Sequence, residues 1–210
     1  MLDSSARRLL DGPLTRVAGV LDRPWISPDR LTVAGLPLGL SSAAAAAVQW
    51  WWVALVLWLL SRVADGVDGA LARRRRAGHD PGAPTSEAGG FLDITADFVV
   101  YGTTVVGVAV GAAAGHGAPW WPFLLVLLAY YLNGTAFLAF SSIAERTGRR
   151  IDDGRSLSFL GGLAEGTETI LVHSLWLLFP AVAWQIALAW AVVVGVSATQ
   201  RVVLGYRDLS

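Results

Sequence analysis

Residues 65–76 read DGVDGALARRRR, and residues 89–97 read GGFLDITAD. Each stretch carries two aspartates, and each abuts an apolar run of the kind that enters a membrane. On a helix, Asp65, Asp68, Gly69, Ala72 and Arg73 fall at i, i+3, i+4, i+7 and i+8, which is one face. Gly89, Asp93 and Asp97 fall at i, i+4 and i+8 of the next helix, again one face. The two helices are consecutive and antiparallel, with both acid sets at the same end. The faces can therefore meet and bring four carboxylates to one point. Four such charges repel strongly in a low-dielectric site, so they stay ionised together only with compensating cations. Ligation by oxygen alone favours a hard divalent ion such as Mg²⁺, and a pair of such ions can clamp a phosphoryl group during in-line attack. Gly69 and Gly89 then clear space for a bulky ligand near the helix backbone, and Arg73 can pair with a phosphate.

The rest of the chain fits a membrane setting. It has 210 residues, one domain's worth, with 54% hydrophobic residues, ten Trp and only 15% charged residues. Its mean hydropathy is +0.53. That composition belongs to the bilayer rather than to a soluble core. Cysteine is absent, so disulfides and thiolate metal sites are excluded. All 16 basic residues are Arg.

The expected architecture is all-α, a bundle of six transmembrane helices. The spans fall at about residues 30–48, 50–71, 90–113, 119–143, 157–179 and 181–203, each near the ~20 apolar residues a crossing needs. The second span has to continue through Arg62, Asp65 and Asp68, which is tolerable only if those side chains face protein or water. Ser27–Pro28 reads as an N-cap followed by a first-turn proline, and Pro119, Pro122 and Pro180 punctuate span ends. Residues 5–22 read as an interfacial amphipathic helix, with Leu10, Leu14, Val17 and Leu21 on one face and Arg7, Arg8, Arg16 and Arg23 for lipid phosphates. Residues 77–88 read as a loop. The Arg cluster in residues 1–30, 73–76, 146–155 and 201–207, with none at Val48–Gln49, Gly111–Ala118 or Pro180. That alternation places both termini and the acid cluster in the cytoplasm. Arg74–Arg76 are expected to serve topology and headgroup attraction. The pairs Gly35/Gly39, Gly107/Gly111 and Gly162/Gly166 are expected to serve close helix packing.

The acidic stretches resemble the signature of the CDP-alcohol phosphatidyltransferase family, D-x2-D-G-x2-A-R followed by G-x3-D-x3-D. Asp65, Asp68, Gly69, Ala72, Arg73, Gly89, Asp93 and Asp97 supply every fixed position. The spacer of residues 74–88 is about seven residues longer than usual, which leaves the role of His79 undefined. The six spans, interfacial helix and cytoplasmic ends also look like the family. The resemblance implies an integral membrane enzyme of phospholipid synthesis, in the cell membrane. It would move a substituted phosphate, normally phosphatidyl from CDP-diacylglycerol, to an alcohol and release CMP. It implies Mg²⁺ or Mn²⁺, two ions, on Asp65, Asp68, Asp93 and Asp97, with Asp97 as general base. Asp65, Gly66, Asp68, Gly69, Arg73 and Gly89 would line the donor site. A homodimer is implied as well, and nucleic acid is not an expected partner.

Outside the signature, Glu165 and Glu168 lie three apart in an apolar stretch, which makes them candidates for an acceptor pocket with Thr169 and Arg155. A structural pairing, for instance with Arg62, is the competing reading. Arg146, Arg149, Arg150 and Arg155 could serve a phosphorylated acceptor. His173 reads as a packed, hydrogen-bonded residue, and Asn133 and Thr135 as interhelical hydrogen-bonders. The different-class alternative is an ion- or proton-coupled transporter with an acidic cation site. That reading calls for acids spread across membrane depth, whereas these sit at one end.

Overall fold

The structure is a computed structural model, and it describes residues 2–77, 87–148 and 164–210. His79, Arg149, Arg150, Arg155, Gly162 and the start of the fifth expected span lie outside the described residues. The described residues form seven α-helices and no strand: α1 Leu2–Leu21, α2 Pro28–Ala47, α3 Trp51–Ala77, α4 Glu87–His116, α5 Trp121–Thr147, α6 Gly166–Leu178 and α7 Ala183–Leu209. A 3-10 turn, Pro180–Val182, joins α6 to α7.

Helix starts follow their local chemistry. Ser27 caps α2 by accepting from the Arg30 amide at 3.2 Å, with Pro28 in the first turn. Pro122 stands in the first turn of α5, and Gly148 ends that helix in the left-handed conformation. Such an ending suits a residue without a Cβ.

Three of the helical segments are long and apolar enough to cross a membrane: Ala88–His116, Trp121–Thr147 and Pro180–Leu209. The chain is an integral membrane protein on that basis. The other expected spans are helical but fall short of that standard. α2 is rich in Ala, Gly and Ser, and α3 carries Arg62, Asp65, Asp68 and the Arg run. The last is α6, described over 13 residues. The expected residues 157–179 placed Glu165 within a helix; here it is extended and caps α6, with Glu168 in the first turn. An acid in the first turn suits the positive end of the helix dipole.

Small residues set the packing of the first half. α2 lies against both α3 and α4. A Cβ on Gly107 would come within 2.2 Å of the Ala43 carbonyl oxygen, and one on Gly111 within 2.0 Å of that of Ala46. A Cβ on Gly39 would meet Val100 at 2.6 Å. Gly107 and Gly111, with Gly39, thus let α2 touch α4 nearly backbone to backbone, while Gly35 faces Ala64 and Ser61 of α3; this is the close packing the spacing predicts. Ser42 and Ser61 satisfy themselves across helices, donating to the Ala54 and Gly35 carbonyls at 2.7 and 2.9 Å.

The second half pairs α5 with α7, and α6 joins it to α3. Trp58, Phe123, Val126, Trp176, Trp190 and Val194 form the shared core. The fully buried His173 stacks on Trp58 at 4.9 Å and hydrogen-bonds Tyr130 Oη through Nε2 at 2.9 Å. Trp190 Nε1 donates to the same Tyr130 oxygen at 2.7 Å. His173 is therefore the packed, hydrogen-bonded residue expected. Asn133 and Thr135 depart from expectation. The buried Oδ1 of Asn133 finds no partner among the described residues, and Thr135 is exposed. α5 is a largely outward-facing helix, with only 28% of its apolar window buried. Leu124, Leu128, Tyr131 and Leu132 face outward on it, as lipid contact requires.

α1 packs Leu14, Ala18 and Leu21 against Val67, Ala70 and Leu71 of α3. Val17, expected on that face, is exposed instead. The turn after α1 is fastened by α3. Asp22 accepts from Arg74 Nε at 3.2 Å and Arg75 Nε at 3.0 Å. Arg75 Nη2 also donates to the carbonyls of Arg23 and Ile26 at 3.0 and 2.8 Å. Arg74 and Arg75 therefore hold the α1–α2 turn, beyond the topological role expected of them. The side chain of Arg76 lies outside the described ones.

Candidate active site and metal centre

The acid cluster forms between α3 and α4, each of which packs on α2, near the start of that helix. Asp65 and Asp68 come from successive turns of α3, and Asp93 comes from α4. One ligand oxygen from each lies within 4.8 Å of the others. That is a convergence of carboxylates with no sulfur or imidazole among them, and it fits a hard divalent cation. Asp68 is buried, and Thr32 Oγ1 of α2 donates to its Oδ2 at 2.5 Å. That bond restrains the carboxylate's rotation.

Asp97 sits one turn beyond Asp93, but its carboxylate is held by another group. Arg62 Nη1 donates to its Oδ1 at 2.6 Å. The same nitrogen stands 3.8 Å from Asp65 Oδ1. The Arg62 side chain is buried, 5.3 Å from the Trp58 ring centroid and 5.0 Å from that of Tyr101. A small cavity beside it is bounded by Thr32, Gly35, Leu36, Ser61, Arg62, Asp65, Ala96 and Val100. The structure thus gathers three of the four signature aspartates into one ligand set and gives the fourth an arginine.

Arg73 lies on the same face of α3, toward α1. It is exposed and 3.9 Å from Asp11. Its Nη1 would be 3.3 Å from a Cβ on Gly69, so this glycine leaves room for the guanidinium to fold back along the helix. A Cβ on Gly66 would meet Leu14 of α1 at 3.1 Å, so a ligand reaching that turn has to come past α1. Gly89 is half-buried in the first turn of α4.

With this geometry in hand, similarity to known proteins is specific. The sequence profile described as CDP-alcohol phosphatidyltransferase matches residues 25–197. The chain belongs to the CDP-alcohol phosphatidyltransferase family. It is 39% identical over 186 residues to the inner membrane protein YnjF of Escherichia coli K12, covering 86% of this chain and 84% of that one. It is 29% identical over 108 residues to the archaetidylinositol phosphate synthase of Pyrococcus horikoshii, covering 51% and 54% of the two chains. The fold is similar to that of the Mycobacterium tuberculosis phosphatidylinositol phosphate synthase PgsA1. The crystal structure of that protein with manganese and citrate gives a TM-score of 0.68 at 20% identity, over 92% of this chain and 88% of that one. Its structure with CDP-DAG bound gives 0.60 at 23% identity, over 93% and 91%.

Sequence reasoning missed two residues of this phosphatidyltransferase site. Thr32 precedes the signature by a whole helix, and nothing in its local pattern marks it. Arg62 carried a signal: it is the one Arg set apart from the four clusters, three residues before Asp65. The sequence offers Glu165 and Glu168 as its possible partners, whereas the structure pairs it with Asp97.

Proposed function

We propose that Asp65, Asp68 and Asp93 hold divalent metal, Mg²⁺ or Mn²⁺, with Asp97 completing a second ion site through the oxygen that Arg62 leaves open. The metal supplies Lewis-acid charge for the pyrophosphate of a CDP-linked lipid, CDP-diacylglycerol in this reading. The observation that carries the proposal is the convergence of three carboxylates from two helices within 4.8 Å. Manganese in one crystal structure of the Mycobacterium tuberculosis PgsA1 and CDP-DAG in another support the same choice of metal and donor. Gly69 and Gly89 leave space for the nucleotide end, Gly66 seats α1 beside it, and Arg73 exchanges Asp11 for a phosphate oxygen. Asp97 takes the proton of the acceptor hydroxyl. The hydroxyl oxygen forms a bond to the lipid-bearing phosphorus, the bond from that phosphorus to the CMP oxygen breaks, and CMP leaves. Glu165 and Glu168 stand at the start of α6, on a different element from the metal ligands. They are our candidates for acceptor contacts.

The same reading carries six spans in the cell membrane, α1 along its surface, a homodimer, and both termini and the active site in the cytoplasm. Supporting it, the Arg-rich segments fall at the acid-bearing end of α3 and α4. The opposite end brings Trp51 and His116 to 6.3 Å and seats Gln49 on Gly115, without an Arg.

The test is purified protein with Mn²⁺, CDP-diacylglycerol and a panel of acceptors that includes inositol phosphate, glycerol phosphate, inositol and serine. Mass spectrometry should find one new lipid headgroup in step with CMP. Product with none of these, or from CDP-choline and diacylglycerol instead, would overturn the choice of donor.

A further inference from the structure

Arg62 is fixed from several sides at once. Its guanidinium lies against the Trp58 and Tyr101 rings and donates to Asp97 Oδ1 at 2.6 Å and to Ser61 Oγ at 3.2 Å. Ser61 is itself anchored to the Gly35 carbonyl at 2.9 Å. A guanidinium cannot shed its charge by losing a proton at ordinary pH, and its planar fork suits a carboxylate. Here it stands 3.8 Å from Asp65, a member of the converging acid set. A cation arriving at that set therefore meets a positive charge already in place, and one of the four aspartates already engaged. Beside a buried guanidinium and half-buried acids, both effects oppose metal. The same charge has a converse use. Between metal-binding events it keeps the half-buried carboxylates of Asp65 and Asp97 from standing without a counter-charge, a condition that carries a cost.

We propose that Arg62 is a built-in competitor of divalent metal at this centre. It lowers the centre's metal affinity and stands in for metal in the empty protein. This rests on the metal-centre reading above. Arg62 acts through Asp97 and Asp65 and is a positioning residue rather than a catalytic one.

Mn²⁺ titration followed by electron paramagnetic resonance tests this on the full chain in detergent. Arg62→Met should bind Mn²⁺ at least about tenfold more tightly than the wild type, a difference of 1.4 kcal/mol. Arg62→Lys, which keeps the charge, should stay within about threefold. In an Asp97→Asn background the gain from Arg62→Met should shrink, because the shared partner is gone. Thermal unfolding gives a second readout. In EDTA, Arg62→Met should unfold at a lower temperature than the wild type, and saturating Mn²⁺ should close the gap. A structural role alone would leave Mn²⁺ affinity unchanged or weaken it in Arg62→Met, and either result overturns the proposal. Failure of Arg62→Met to fold even in saturating Mn²⁺ also overturns it, since metal should replace the lost charge. A wild-type protein that binds no Mn²⁺ overturns the metal centre itself, and this proposal with it.

Discussion

Asp93 and Asp97 sit one turn apart on α4 and have different surroundings. Asp93 joins the convergent acids, while Asp97 is engaged by Arg62 through one oxygen. Asp97→Asn keeps the side chain's shape but cannot accept a proton, so CMP release should fall by about 10²–10⁴-fold while the folded protein persists. Steady-state assay beside a thermal melt checks both halves. Tyr130 offers a stability test away from the chemistry. Its hydroxyl serves both Trp190 Nε1 and His173 Nε2. Tyr130→Phe strands two buried polar groups and should cost about 1–3 kcal/mol in a detergent melt. The convergence of Asp65, Asp68 and Asp93 was legible in the sequence because a helix turns their spacing directly into a shared face. Thr32 and Arg62 were not, because their partnerships depend on how α2, α3 and α4 pack. Periodicity within a single element does not specify that packing.

Helices were legible as elements because long apolar runs have few other ways to satisfy their backbone in a bilayer. Their ends were less so. α3 and α4 extend past the apolar limit to carry polar side chains, and α6 begins after an extended Glu165 that its apolar neighbours disguised. The α2–α4 contact can be tested with glycines. Gly107→Ala drives a Cβ to 2.2 Å from a backbone oxygen that has little room to move. It should destabilise the protein by about 1–3 kcal/mol. Gly102→Ala, on the same helix with nothing within 4 Å, should be neutral or stabilising by up to about 1 kcal/mol. Urea or thermal unfolding of the pair separates overpacking from helix propensity. The clasp on α1 is electrostatic. The Arg75 hydrogen bond holds the Asp22 carboxyl below its usual value of 3.8; desolvation opposes it, and the Arg74 hydrogen bond and the two guanidinium charges add to the lowering. A carboxyl lowered in the folded state contributes above its unfolded value and is lost as pH falls through the lowered one. Spin-label distances between α1 and α3 should therefore broaden below about pH 3.8, and earlier in high salt, which screens an exposed pair. Arg75→Ala should produce the same broadening at neutral pH, and unchanged distances would refute the clasp.

Across the whole molecule, the proposed orientation rests on one sequence feature, the alternation of Arg-rich and Arg-free connections along the chain. The pairing of α5 with α7, and the aromatic contact that links α6 to α3, were not legible. Any two apolar helices can satisfy the same hydropathy pattern, and only side-chain shape selects among them. The chain has no cysteine, so single cysteines can report topology without background. A thiol at Gln49 or Gly115 should react with a membrane-impermeant reagent from outside the cell, and one at Ser210 only after permeabilisation. The reverse pattern would invert the topology and place the site outside. The central claim is that carboxylates from α3 and α4 hold the metal that presents a CDP-linked donor. The most direct measurement is the rate of CMP release from CDP-diacylglycerol, with the acceptor found in the panel, as Mg²⁺ is restored to chelator-treated protein. The account predicts no release without metal, saturable recovery in the wild type, and no recovery in Asp68→Asn or Asp93→Asn. Release that persists in chelator, or that survives loss of either aspartate, would contradict it.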